Sequence, residues 1–413
     1  MAIFLILKNT VLLLFFTLST CGNPSGKNNL DQNSTVDATI GDPERPIIVA
    51  ANRTEQYLSL LSGKKVAIVA NQTSVIFKDD LSYTHLVDSL WSRNVDIQKV
   101  FAPEHGFRGE MDAGEKVAHG KDEKTGLPII SLYGKNRRPT KEQLEGIDLV
   151  LFDIQDVGVR FYTYIATLQL VMEACAEQNI PVIVMDRPNP NGHYVDGPTM
   201  ETKNHNFLGM TNIPLVYGMT IGEYAQMING EGWLENKVHA DLTVIPMEAY
   251  EHSRDYILPI RPSPNLPNNT AITLYPSLGL FEGTNVNAGR GTEFQFQRYG
   301  APFMDSTQYD FRYTPVPNFG SKDPKHKGKV CYGRDLSGTT RMNSVDLGYL
   351  LDAYRNTKDK KLFFLTSGFT SHAGTAELQK QIEAGLSQEE IKKTWREDID
   401  RFKKIRAKYL IYN

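Results

Sequence analysis

Only three cysteines occur in the 413-residue sequence, at 21, 175 and 331, too few for a disulfide scaffold and without the paired spacing of a metal site. Charge of one sign is also lacking. Lys and Arg number 45 against 48 Asp and Glu, giving a net charge of −3, and no long basic run is interleaved with aromatics. A nucleic-acid partner is therefore not expected. No Gly-x-Gly-x-x-Gly follows the first apolar run, and no Gly-Lys-Ser/Thr phosphate loop occurs. A nucleotide loses its usual signal, and no cofactor is expected. Ser277 stands outside any Gly-x-Ser-x-Gly elbow, which argues against serine hydrolysis. Histidine-rich or multi-carboxylate sets at metal-binding spacing are missing too, so no metal is expected.

What remains is a globular composition, with 40% hydrophobic and 23% charged residues. The length exceeds the ~150 residues of a typical domain, which predicts two domains. The first twenty residues read as an export signal. Lys8 precedes the apolar run from Val11 to Leu18, and no acidic residue lies before Cys21. The run is shorter than the ~20 residues of a membrane span. Leu18, three residues before Cys21, resembles the lipobox of bacterial lipoproteins, with Thr20 departing from the usual small residue. Cys21 is then the expected lipidation site, and the protein an exported, membrane-anchored lipoprotein facing the periplasm or cell surface. Residues 22–44 are rich in Gly, Asn, Ser, Asp and Pro with few large apolar side chains, as in a disordered tether.

From Arg45 the texture changes. Short apolar runs at Val66–Ala70, Ile97–Ala102, Ile129–Leu132, Leu149–Asp153, Val182–Asp186 and Leu242–Pro246 are continuous rather than alternating, which predicts strands buried on both faces of a parallel sheet. Amphipathic stretches at Leu81–Ser92, Tyr164–Gln178 and Ile221–Asn229, the last capped by Thr220, fall between them. The expectation is a Rossmann-like, doubly wound α/β domain over 45–260. After Pro259 come loops, the apolar element Ile272–Leu274, and helical patterns at Val345–Tyr354, Ala376–Ala384 and Gln388–Lys408. These predict a smaller α+β domain over 261–413. Trp395, Ile399, Phe402 and Ile405 fall at helical spacing, so the charged last helix is expected to pack on the body.

In such sheets ligands bind outside the carboxyl ends of the strands, so the residues after each run are the ones to weigh. Phe101-Ala-Pro-Glu104-His105-Gly-Phe-Arg108-Gly109 places an acid, an imidazole and a guanidinium at one strand end. Glu104 is a candidate general acid if burial raises its pKa; a turn in which it pairs with Arg108 is the alternative. Asp153-Ile-Gln-Asp156-Val-Gly-Val-Arg160-Phe-Tyr162-Thr-Tyr164 offers carboxylates and an arginine for a polyhydroxylated or anionic ligand, with tyrosines to stack on a sugar. A plain Asp156–Arg160 ion pair, or Asp153 as a metal ligand, stays open. Glu282, Asn285 and Arg290 lie in a Gly-rich stretch from Tyr275 to Phe296 suited to recognising hydroxyl, amide and carboxylate groups, or to bonding with itself. Cys175 reads as core, and Cys331 has no evident base beside it.

At these clusters, and at Asp186-Arg-Pro-Asn-Pro and Tyr275-Pro-Ser-Leu-Gly-Leu-Phe-Glu-Gly-Thr-Asn-Val286, the sequence resembles the exo-β-N-acetylmuramidases of glycoside hydrolase family 171, over about 64–412. The resemblance implies release of N-acetylmuramic acid from non-reducing ends of peptidoglycan fragments, in cell-wall turnover or recycling. It also implies a cleft between a Rossmann-like and an auxiliary domain. Glu104 becomes the catalytic acid, supported by His105 and Arg108. Glu282 or Asp156 is the second carboxylate, and Arg290 or Arg160 binds the lactyl carboxylate, with Asp153, Tyr162 and Asn285 as further contacts. Carboxyls ~5 Å apart would predict retention and ~6.5–9.5 Å inversion. A non-catalytic lipoprotein that captures cell-wall sugars is the alternative. A metal-dependent hydrolase stands third.

Overall fold

The computed structural model describes residues 45–79, 82–109 and 120–413. The expected export signal, Cys21 and tether lie outside the described residues. All described residues from Arg45 to Asn413 belong to one compact unit.

Seven strands form the main sheet: β1 (Val66–Ala70), β2 (Ile97–Ala102), β3 (Gly120–Lys121), β4 (Pro128–Ser131), β5 (Leu149–Asp153), β6 (Val182–Met185) and β7 (Leu242–Ile245). Their order is β3-β4-β2-β1-β5-β6-β7, and only the short edge strand β3 is antiparallel. The continuous apolar runs are explained by this burial. Ala67, Val69, Phe101, Val150, Phe152, Val182 and Val184 face helices Tyr164–Glu177 and Ile221–Gly230. Val66, Ile68, Ala70, Val100, Ala102, Leu149, Leu151 and Ile183 face helices Thr54–Leu61 and Leu86–Ser92. With side chains alternating along each strand, both faces need apolar residues. Thr220 caps its helix as expected, accepting the Glu223 N–H at 3.2 Å while Glu223 accepts the Thr220 N–H at 2.9 Å.

The chain winds outward from β1 through β2 and β4, then returns to lay β5 on the other side of β1. Between β1 and β5 the winding reverses, which is where such sheets open a crevice at their carboxyl ends. Polar side chains lace the loops there. Asn71 Oδ1 accepts from Thr73, Thr73 Oγ1 accepts the Gln155 N–H at 3.0 Å, and Gln155 Nε2 donates to the Pro188 carbonyl at 2.6 Å.

A smaller antiparallel sheet holds β8 (Arg298–Ala301), β9 (Phe311–Tyr313) and β10 (Cys331–Asp335) in the order β8-β10-β9. Helices at 269–278, 348–355, 366–373, 377–383, 388–393 and 396–406 make up most of the rest of this part. The apolar core of the first helical face runs on into this part through Ile272, Leu274, Phe281, Tyr299, Phe369 and Phe402. Trp395 and Phe402 are buried, and Ile399 and Ile405 pack against the same core, so the charged last helix does dock on the body.

Local differences have local causes. The helical pattern over 81–92 is a strand at Tyr83–His85, paired with Val75–Phe77, followed by a helix from Leu86. His85 caps that helix and bonds to the Asn71 carbonyl at 2.9 Å. Gln388–Lys408 is two helices. Thr394 bonds its hydroxyl to the Ile391 carbonyl at 2.7 Å and breaks the run.

Candidate active site

Glu104 lies two residues beyond the end of β2, after Pro103. His105 and Gly106 take left-handed φ values of 71° and 78°, and the Gly106 N–H closes the turn on the Pro103 carbonyl at 3.1 Å. A left-handed pair this close to the strand end turns the chain sharply just after Glu104. Thr163 Oγ1 donates to Glu104 Oε2 at 3.4 Å, and Tyr164 Oη to the Glu104 carbonyl at 3.4 Å. Burial and the neighbouring Glu104 carboxylate push the Tyr133 phenol up to about 12.

Glu104 and His105 line a cavity of about 430 Å³, counting its open mouth. Tyr162, Tyr164, Phe161, Tyr275 and Phe296 form apolar walls in edge-to-face pairs, with ring centroids 4.8 Å apart for Tyr162 and Tyr164 and 4.8 Å for Tyr275 and Phe296. Arg290 completes the lining from the second part of the chain, between Gly289 (φ 78°) and Gly291 (φ 79°). Its guanidinium lies 5.2 Å from the Phe296 ring centre, and its Nε donates to Glu282 Oε1 at 3.1 Å. Burial alone would raise the Glu282 carboxyl; Arg290, Lys325 and His372 outweigh it and hold the group below the ordinary carboxylate range. Lys325 also ties down the turn beneath, donating to the Phe281, Glu282 and Thr284 carbonyls at 3.0, 3.1 and 2.6 Å.

Several expected site residues are brought together here and others are not. Glu104, His105, Tyr162 and Arg290 share the cavity, and Glu282 backs Arg290. Arg108 instead forms a fork with Asp88 and Asp122, at 2.9 and 2.8 Å, and stacks over Phe107; the anticipated Glu104–Arg108 pair is not what holds the turn. Asp153 is wholly buried, and both its oxygens accept from Arg187, at 2.6 and 2.8 Å, which removes it from ligand or metal contact. Asp156 and Arg160 do not pair with each other. Asp156 Oδ2 accepts from Tyr217 Oη and from the Gly158 N–H at 2.7 Å, and burial pushes its carboxyl up to about 6. Arg160 donates to four backbone carbonyls, Pro198 at 2.7 Å, Ile213 at 3.0 Å, His372 at 2.9 Å and Ala373 at 2.8 Å. Its remaining donor, Nε, is buried without a partner among the described residues, and Arg160 does not line the cavity. Asn285 spends its amide on the Leu362 carbonyl at 2.8 Å. Among the described residues no three His, Cys, Asp or Glu side chains are grouped to hold a metal ion.

Ser263, Asn265 and Leu266 line the cavity without having been singled out. Their Pro-rich segment reads only as a loop. Its place is set at a distance in sequence, where Gln72 Nε2 and Tyr162 Oη both donate to the Pro262 carbonyl, at 3.1 and 2.8 Å. Tyr275 and Phe296 did carry a signal, as the aromatic ends of the Gly-rich stretch.

Comparison with known proteins identifies the family. Residues 66–270 match the family described as Exo-beta-N-acetylmuramidase NamZ, N-terminal, and residues 273–412 its C-terminal counterpart. The chain belongs to the NamZ family. It is 37% identical to the peptidoglycan beta-N-acetylmuramidase NamZ of Bacillus subtilis over 423 residues, covering 98% of both chains. Two DUF1343 family proteins from Bacteroides fragilis share the fold. One superposes with a TM-score of 0.81 at 43% identity and the other with 0.73 at 28%, each covering 89% of this chain and 99% of its own. NamZ proteins are glycosidases, so membership sets aside the non-catalytic reading.

Proposed function

We propose that this NamZ-family chain removes N-acetylmuramic acid from the non-reducing end of peptidoglycan fragments by cleaving the β-1,4 bond to N-acetylglucosamine, with Glu104 as the acid that protonates the leaving oxygen. The observation that carries the assignment is that Glu104 and Arg290 line one small aromatic-walled cavity. A muramic residue differs from glucosamine by its lactyl carboxylate, and a guanidinium is the group that binds a carboxylate through two parallel hydrogen bonds. Arg290 is that guanidinium. Arg160, committed to four carbonyls, is not.

The second carboxylate is Glu282. Its side chain is 25% exposed and held ionised by Arg290, whereas Asp156 is 3% exposed and hydrogen-bonded by Tyr217 and Gly158. An ionised Glu282 keeps Arg290 oriented and places negative charge near the cationic sugar of the transition state. The aromatic walls pack on sugar C–H faces and exclude water from the reacting bond. Residues 45–260 and 261–413 supply the two walls of this cleft.

Release of N-acetylmuramic acid from the muramyl-glucosamine disaccharide is the assay. Glu104→Gln should lose roughly 10²–10⁴-fold in kcat, as expected for a missing general acid. Arg290→Gln should mainly raise KM for the muramyl substrate. Wild-type-like turnover by Glu104→Gln would sink the acid assignment. The export reading of residues 1–44, and with it a role in cell-wall recycling at the membrane surface, is tested by Cys21→Ser. That variant should move the protein from the membrane to the soluble fraction; retention at the membrane would discard Cys21 as the anchor.

A further inference from the structure

The reaction proposed for this cavity asks more of Glu104 than a place on its wall. Its proton has to be aimed at the glycosidic oxygen, and the carboxylate left behind needs a partner. Strand β4 supplies one. It runs parallel to β2 with Phe101 opposite Ile130 and Ala102 opposite Ser131, and the Leu132 N–H carries the ladder one residue further, to the Ala102 carbonyl at 2.8 Å. Two residues beyond that last matched pair stand Glu104 on one strand's continuation and Tyr133 on the other's. Both then turn through left-handed residues, His105 and Gly106 after the acid and Gly134, at φ 76°, after the phenol. The Ser131 hydroxyl accepts the Tyr133 N–H at 3.2 Å and fixes the backbone between them.

Register and matching turns thus bring the two side chains together. The Tyr133 phenol hydrogen-bonds to the Glu104 carboxylate, and Arg137 and Arg290 are the cations whose charge acts on it. Thr163, from the turn that opens helix Tyr164–Glu177, approaches Glu104 Oε2 separately, donating at 3.4 Å. Arg290, Tyr164 and Tyr275 are the further ionisable groups on which the Glu104 charge acts. Tyr133 does not line the cavity as Glu104 does, so it acts through the carboxyl and not on the sugar. Raised to about 12 by burial and by Glu104, the phenol keeps its proton at neutral pH and serves as a donor.

A glutamate side chain turns about several bonds, and holding it still before reaction removes an entropy cost from the barrier. A hydroxyl on the carboxyl does a second thing. While Glu104 is protonated the contact joins neutral groups. Once the proton has passed to the leaving oxygen, and the bond from that oxygen to the anomeric carbon breaks, it becomes a charge-assisted bond to a carboxylate, which is stronger. An interaction that strengthens along the reaction raises kcat rather than lowering KM. We propose that Tyr133 is a positioning residue for the acid, whose phenol O–H orients the Glu104 carboxyl and stabilises the carboxylate as its proton leaves. The proposal rests on Glu104 being that acid.

Steady-state kinetics of the full-length protein across pH test it, on the muramyl-glucosamine disaccharide and on para-nitrophenyl N-acetylmuraminide, whose leaving group needs no proton. Tyr133→Phe removes only the hydroxyl. It should lower kcat on the disaccharide roughly tenfold with KM near the parent's, and leave nitrophenyl release close to the parent's rate. Removing a donor to the carboxylate disfavours the ionised form, so the pKa of the acid rises and the alkaline limb of the kcat profile should move up by about half a pH unit or more. Glu104→Gln, run beside it, should show the same dependence on leaving group with a larger loss. Equal losses on both substrates, with the limb in place, would mark Tyr133 as structural and overturn the proposal, as would disaccharide kinetics that match the parent's. If Glu104→Gln keeps disaccharide turnover, the acid reading fails and takes this one with it. If it loses that turnover while Tyr133→Phe behaves as the parent, the acid stands and Tyr133 alone is refuted.

Discussion

Replacing Arg160 by methionine separates two roles for one cation. The side chain is 1% exposed, and its guanidinium holds carbonyls of residues 198 and 213 on one side and 372 and 373 on the other. Burial depresses its pKa from 12.5 to about 9, a penalty of about 5 kcal/mol at ~1.36 kcal/mol per tenfold. Methionine fills similar volume and relieves that penalty, but leaves the buried carbonyl oxygens of Pro198, His372 and Ala373 without donors, while Ile213 keeps the Met200 N–H at 3.1 Å. At roughly 1–3 kcal/mol each these cost about 6 kcal/mol, so the net expectation is destabilisation by roughly 1 kcal/mol. Urea unfolding at neutral pH measures it as a fall in midpoint with little change in slope. The KM of whatever enzyme remains folded should stay near the parent's. A variant as stable as the parent but with a much raised KM would refute this reasoning and return the guanidinium to the substrate.

Asp156→Asn tests the burial of the other abandoned candidate. With its folded pKa near 6 against 3.8 unfolded, the native state keeps the proton longer, so stability falls as pH rises from about 4 to about 6 and then levels, by roughly 3 kcal/mol in all. The asparagine variant should lose that share of the fall in pH-dependent urea unfolding, leaving the share of Asp186, whose carboxyl is pushed up to about 7 by burial; a slope identical to the parent's would locate the titration elsewhere. Gly283→Ala would set a Cβ 2.3 Å from the Phe369 Cα and 2.6 Å from its nitrogen, both backbone atoms, so the turn carrying Glu282 must shift away from helix Thr366–Ala373. It should lose both stability and turnover, by several kcal/mol and at least tenfold. Normal turnover would mean that Glu282 and Arg290 tolerate displacement.

Legibility in the sequence followed the kind of constraint at work. Strands buried on both faces leave continuous apolar runs, so β1, β2, β5, β6 and β7 could be read almost to the residue. Helix Thr366–Ala373 could not. Its Thr-Ser-Gly-Phe-Thr-Ser-His-Ala has weak intrinsic propensity, and it is held by burial of Phe369 and by close approach to Gly283. Glu104 was legible because a strand-end acid beside His105 and Gly106 is a local pattern. Arg290 was legible because two glycines flank it. Arg160, Asp153 and Arg108 looked equally functional, since a charged residue near a strand end suits a ligand as well as a buried bond. Their partners, at 187, 198, 213, 372 and 122, are far away or unremarkable in sequence.

Those misassigned charges explain how the site is kept in shape. Arg108 fastens the Glu104 turn to helix Leu86–Ser92 through Asp88, Arg187 clamps the end of β5 through Asp153, and Arg160 bolts carbonyls 198 and 213 to 372 and 373. Lys392 adds a link to Asp196 at 2.9 Å, and Arg406 binds the Gly218 carbonyl at 2.7 Å. One apolar core underlies both parts of the chain. Opening the cavity by a hinge would break several of these bonds together, at ~1–3 kcal/mol each, so the spacing of Glu104 and Arg290 across it is fixed by the fold. A preformed pair cannot adapt to sugars of either charge. On the reading proposed above, discrimination for a carboxylate-bearing sugar then follows from fixed geometry, as the Arg290 N–H groups not held by Glu282 find a charged acceptor in a lactyl carboxylate and none in a neutral sugar.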